Sequence, residues 1–195
     1  MSGCTQKTVQ LSTELTLTDQ ATQSLDTAQV LMNLPLDNAV VRVTKKPFGI
    51  KISPSDSPIS PEKFSGYHTG ADFEILPTEI DQDIIVRAIC NGPVIYKQYV
   101  SGYGGVLIQR CSLNQEIITV LYGHLQLSSI MAERQQTLLS SDIIGPLGQA
   151  YSTETDGERQ HLHLSIHRGT DINLRGYVND PKLLAEWIDP MTLLK

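Results

Sequence analysis

Val94-Ile95-Tyr96-Lys97-Gln98-Tyr99-Val100-Ser101-Gly102-Tyr103-Gly104-Gly105-Val106-Leu107-Ile108-Gln109-Arg110-Cys111 is the stretch that decides the fold. Two runs rich in β-branched and aromatic residues flank a glycine cluster, and glycine supplies the positive φ angles a tight hairpin turn demands. The two runs are expected to pair antiparallel. Working outward, short apolar runs punctuated by Gly and Pro read as further strands at residues 39–43, 48–52, 71–75, 84–90, 117–122 and 161–167. No repeat of fixed period suggests a solenoid or a propeller. The expected fold is all-β, a compact antiparallel sheet domain over residues 39–195. Helix is scarce. Asp180-Pro181 reads as the start of a short helix with Leu183, Leu184 and Trp187 on its buried face, and residues 128–139 are a weaker helical candidate.

At 195 residues, 40% of them apolar and 18% charged, the chain has the composition of one folded domain with a leader. A net charge of −6 provides no basic patch for a polyphosphate backbone, so nucleic acid is excluded as a partner. Apolar runs such as residues 30–36 are too short and too interrupted to span a membrane. Residues 1–38 read as a leader, since 12 of the 20 residues from Thr5 to Ser24 are Ser, Thr or Gln. Its opening, Met1-Ser2-Gly3-Cys4, resembles the remnant of a bacterial lipoprotein signal with Cys4 as a lipidated membrane tether; a chance cysteine in a polar terminus is the alternative. Val9, Leu11, Leu15 and Leu17 alternate, so an edge strand is a further reading of the same segment.

Four of the five histidines lie in phrases suited to metal chemistry: Tyr67-His68-Thr69-Gly70-Ala71-Asp72, Tyr122-Gly123-His124-Leu125 and His161-Leu162-His163-Leu164. Side chains alternate along a strand, so His161 and His163 share one face while Leu162, Leu164 and Ile166 take the other. The same parity places His68, Gly70 and Asp72 together, with no side chain at Gly70 to block a cation. Imidazole nitrogen and carboxylate oxygen suit zinc, which in catalytic sites takes three protein ligands and leaves a position for water. The remaining histidines then take and return protons near neutral pH, which points to hydrolysis.

The ordered set His-x-x-x-Asp, Tyr-Gly-His-Leu and His-Leu-His resembles the lysostaphin and LytM type of zinc metallopeptidase over about residues 48–194. Phe48-Gly49, the Gly102-Tyr103-Gly104 turn, Ile144-Gly145 and Asp189-Pro190 fall in the same order. The resemblance implies a compact antiparallel β domain with an open groove and one zinc held by His68, Asp72 and His163. It further implies His161 as general base and His124 as its orienting or oxyanion-stabilising partner. The implied substrate is peptide in bacterial peptidoglycan, which places the protein outside the cytoplasm. Departures are the Leu164-Ser165 pair after His163, the approach Asp156-Gly157-Glu158-Arg159-Gln160 to the His-x-His strand, the loop at residues 77–83, and residues 169–187, which read as an insertion.

Other residues read more plainly. His167 shares parity with His163 but stands about 13 Å along the strand, too far for one metal, and is expected in solvent. Trp187 is expected in the core, and Lys45 and Lys46 at a strand end. Cys90 and Cys111 flank the proposed hairpin nearly in mirror positions, so a disulfide is geometrically open to them, as is a pair of buried thiols. Two rival functions share this inventory: a catalytically inactive cell-wall-binding or hydrolase-activating module on the same fold, recognised by missing ligands, and a structural zinc protein, recognised by a closed, cysteine-rich shell.

Overall fold

In the computed structural model, which describes residues 1, 3, 32–80 and 82–195, the Gly102-Tyr103-Gly104 turn closes the expected hairpin. Gly102 and Gly104 both take positive φ, and a Cβ on Gly104 would lie 1.8 Å from the carbonyl oxygen of Glu154, so this turn admits only glycine there. The described strands are β1 (Lys51–Ile52), β2 (Gly66–His68), β3 (Ala71–Glu74), β4 (Ile85–Arg87), β5 (Gly92–Val100), β6 (Gly104–Leu113), β7 (Glu116–Leu125), β8 (Thr137–Leu138), β9 (Ile143–Pro146), β10 (His161–Arg168), β11 (Tyr177–Val178) and β12 (Trp187–Ile188). Every helical segment among the described residues is a short 3₁₀ turn.

The main sheet runs β12-β10-β7-β6-β5-β8, and all its pairings are antiparallel. β3 joins it beside β10, pairing with His161 to Leu164, while β12 covers Ile166 and His167 on the same edge. β1, β2 and β11 form a second small sheet, and β4 pairs with β9.

Period-2 alternation sorts the main sheet into two faces. Leu162, Leu164 and Ile166 of β10, Ile118, Val120 and Tyr122 of β7, and Leu107, Cys111 and Leu113 of β6 share one core with Phe73. Val106, Ile108 and Leu121 turn the other way and pack with Ile95 and Tyr103. A buried polar hub pins the far end of the hairpin: the Gln109 amide donates to the carbonyls of Cys90, Gly92 and Leu138 at 2.9, 3.0 and 3.2 Å. Cys90 and Cys111 are joined there as a disulfide, with Cα atoms 6.1 Å apart.

Several expectations are corrected by the tertiary context. Packing begins upstream of Ala39, because Met32 and Leu36 are buried in the main core and Met32 bridges to Leu194. Residues 39–43 are not a strand; Ala39–Val41 is a 3₁₀ turn with Val40 and Val41 in solvent. Residues 128–139 are not helical, since a 3₁₀ turn at Leu127–Ser129 leads by a loop into β8. The expected helix after Asp180 is a 3₁₀ segment, Pro181–Glu186, capped by the Asp180 carboxylate. It leaves Leu183 exposed and delivers Trp187 to β12, where the indole is buried. His167 is not free in solvent: its ring meets that indole edge-on at 4.9 Å. Lys46 is fully buried rather than capping a strand end, its Nζ 2.6 Å from Glu62 Oε2. Cys4 and the alternating stretch from Val9 to Leu17 lie outside the described residues. No described helix is long and apolar enough to cross a membrane.

Candidate metal and catalytic site

β10 is the organising strand of the site. His163 stands opposite Asp72 of β3 on one side and Gly123 of β7 on the other, so strand pairing alone sets the carboxylate beside the imidazole. His68 closes the group from the end of β2. The chain bends sharply at Thr69-Gly70 rather than running on as one strand, so His68 and Asp72 converge through a turn and not by the expected parity. The Ser165 hydroxyl ties the bend down by donating to the Thr69 carbonyl at 3.1 Å.

The three donor atoms form a nearly equilateral triangle. His68 Nε2 lies 3.0 Å from His163 Nδ1 and 3.3 Å from Asp72 Oδ1, and His163 Nδ1 lies 3.1 Å from the same oxygen. A tetrahedral cation with ligand bonds of 2.0–2.1 Å separates its ligands by about 3.3 Å, so the triangle fits one face of such a shell. All three residues are buried. The distal nitrogens are held as well: His68 Nδ1 faces the Pro47 carbonyl at 3.3 Å and His163 Nε2 faces the Tyr103 hydroxyl at 3.4 Å. The Pro47 carbonyl can only accept, so it selects the His68 tautomer whose Nε2 lone pair turns toward the other two donor atoms, while the Tyr103 hydroxyl can serve either tautomer of His163.

His161 and His124 complete the cluster. His161 Nδ1 donates to the Arg159 carbonyl at 2.8 Å, which leaves Nε2 as the basic nitrogen, 3.3 Å from Asp72 Oδ2. The His124 ring lies 4.2 Å from that of His161, and its buried Nδ1 has no hydrogen-bond partner among the described residues. Strict alternation would send His124 away from its neighbours. Between the pairs Gly105↔Leu125 and Val106↔Gly123, however, β7 carries an extra residue, and His124 takes φ of 60° in that bulge. The bulge re-aims the imidazole, a use of irregular backbone common beside active sites.

Electrostatics follow from burial and crowding. Burial alone would raise the Asp72 carboxyl, but His161 and His68 beside it hold it well below the usual range, so it stays ionised. Burial depresses His124, and the neighbouring His161 depresses it further, so its ring stays neutral. His163 is pushed down to about 4, chiefly by burial, against a raising contribution from Asp72. A neutral His163 and an ionised Asp72 are in the protonation states that ligate a divalent cation. Asp72, His124, His161 and His163 line a cleft of about 260 Å³ whose walls include Phe64, Ser101, Tyr103, Leu174 and Tyr177, while His68 is fully buried.

All five residues singled out in the sequence therefore meet at one place. Arg159, Tyr103, Tyr177 and Lys46 are the site neighbours that sequence reasoning did not assign. Arg159 Nη2 lies 2.8 Å from Asp72 Oδ2, and Tyr177 stacks on His68 at 5.1 Å while accepting from Lys46 Nζ at 3.2 Å. Tyr103 lies in the Gly102-Tyr103-Gly104 turn of the resemblance and Arg159 in the approach to the His-x-His strand, but neither phrase assigned the side chain a role.

The family model described as Peptidase family M23 matches residues 66–174, a span that holds all five site residues. Among solved structures, that of LytU is similar with 26% identity and a TM-score of 0.50, over 76% of this chain and 81% of that one. The structure of the SpoIIQ–SpoIIIAH pore-forming complex shares the fold at a TM-score of 0.56 and 15% identity, covering 86% of this chain and 92% of the other. No curated protein matches the chain.

Proposed function

The chain belongs to peptidase family M23, and from that premise we propose that it is a zinc-dependent endopeptidase acting on peptide bonds of bacterial peptidoglycan. The triangle of His68, Asp72 and His163, with two further imidazoles beside it at an open cleft, is the observation that carries this reading. In it, those three residues hold one zinc. When bound, the metal polarises the scissile carbonyl and makes the attacking water acidic.

The protein's own groups supply the rest. His161, its Nδ1 anchored on the Arg159 carbonyl, takes the proton of the water at Nε2 and returns it to the leaving amine. His124, kept neutral by burial, presents its ring N–H to the oxyanion that develops on the substrate carbonyl. Burial raises the Tyr103 and Tyr177 phenols, so both remain protonated donors in the cleft walls. Five ligating or proton-transferring groups in place argue against the inactive module, and a shell with three protein ligands argues against a structural zinc. The Cys90–Cys111 disulfide agrees with a location outside the cytoplasm.

Digestion of purified cell wall, with products identified by mass spectrometry, tests the function. Peptide cleavage is expected that stops with a zinc chelator and in His163→Ala. Intact wall after incubation with zinc-loaded wild-type protein would instead favour the binding module.

A further inference from the structure

Asp72 has two carboxylate oxygens in different hands. Oδ1 faces the two imidazole donors at 3.1 and 3.3 Å, while Oδ2 accepts from Arg159 Nη2 at 2.8 Å. The same guanidinium turns its Nη2 and Nε onto Glu74, at 2.6 Å and 3.0 Å, so one planar fork spans both carboxylates of β3. Asp72 and Glu74 are two residues apart and share a face, so the strand itself sets the spacing that the fork bridges. Arg159 is only 11% exposed, and Glu74 also meets Lys45 Nζ at 3.3 Å. The Arg159 backbone carbonyl meanwhile anchors His161.

We propose that Arg159, clamped by Glu74, is a positioning residue that makes Asp72 a one-oxygen ligand and keeps a coordination position open toward the cleft. The inference rests on the zinc reading of His68, Asp72 and His163. A carboxylate with both oxygens free can chelate a cation through both and fill the position that water needs. Occupying Oδ2 with a fixed hydrogen bond prevents this. The arrangement also solves a charge problem, because a bare guanidinium beside a divalent cation would repel it, whereas Glu74 neutralises Arg159 where it stands. A lysine would supply the charge without the two-pronged geometry.

Chelator competition for zinc, together with the visible absorption of the cobalt(II)-substituted protein, tests the proposal on Arg159→Lys and on the double variant Arg159→Gln, Glu74→Gln. The double variant removes a charge of each sign, so its effect reports orientation and not net charge; metal-free circular dichroism establishes that each variant is folded. Zinc binding about 10–100-fold weaker is expected in both. The cobalt absorption should lose intensity as Asp72 turns to two-oxygen ligation and the coordination number rises. Wild-type protein that takes up no zinc, or His163→Ala that keeps it, would overturn the zinc reading itself. If zinc binds as read and both Arg159 variants keep affinity within about twofold with an unchanged cobalt spectrum, Arg159 is only a structural ion pair and the inference fails.

Discussion

Gly70→Ala probes the tightest packing in the site with a single methyl group. A Cβ at residue 70 would lie 2.5 Å from the Leu164 carbonyl oxygen and 2.8 Å from both Cε1 and Nε2 of His163. The first is backbone in the middle of β10 and the second is the buried ring of a proposed zinc ligand, so neither yields without cost. Gly70 does not use a left-handed φ, so crowding alone is at issue and not backbone strain. Relieving the clash requires the bend between β2 and β3 to move off β10 by about 0.9 Å, against a ligand tolerance of about 0.2 Å. Overpacking of this kind costs about 1–3 kcal/mol, which for a chain of this size lowers Tm by roughly 2–12 °C. Because the displacement separates His163 from His68 and Asp72, zinc affinity should fall by about 100-fold or more. Thermal unfolding in chelator reads the first effect, and chelator competition reads the second. A variant that unfolds at the wild-type temperature and holds zinc as tightly as wild type would show that the bend relaxes freely.

His161→Ala and His124→Ala should each keep stoichiometric zinc by metal analysis yet lose about 10²–10⁴-fold in turnover on peptidoglycan, since neither donates an atom to the ligand triangle; near-normal cleavage by zinc-loaded His161→Ala would refute the assignment of the base. Unreduced, denatured protein should show no alkylatable thiol at Cys90 or Cys111, and replacing both with alanine should cost about 3 kcal/mol by chemical denaturation, given the 21-residue separation they close. Glu79 is held below its ordinary 4.5 by its hydrogen bond with the buried Arg42, so the stability it contributes is present above that value and is lost as pH falls through the lower folded value. In Glu79→Gln the slope of stability against pH should flatten below about pH 4.5, and an unchanged slope would remove Glu79 from the acid response.

Properties that depend on near neighbours along the chain were legible in the sequence. Period-2 alternation put His161 and His163 on one face and Leu162, Leu164 and Ile166 on the other, and β10 follows that division. The hairpin around Gly102 and Gly104 was equally local, because positive φ is a property of the residue that adopts it. Residues 39–43 and 128–139 misled for a related reason: their apolar content suited strand and helix, but only packing decides which short runs find a partner. What the tertiary structure alone decided is how the groups face one another. His124 points into the site because β6 and β7 pair with a one-residue slip, a matter of register between strands. Asp72 meets His163 because β3 lies beside β10, although the two residues stand 91 positions apart in the chain. Arg159 reaches Asp72 and Glu74, and Lys46 reaches Glu62, only across such pairings. A long charged side chain carries no period in the sequence, and its partner is chosen by burial, where an unpaired charge is too costly to keep.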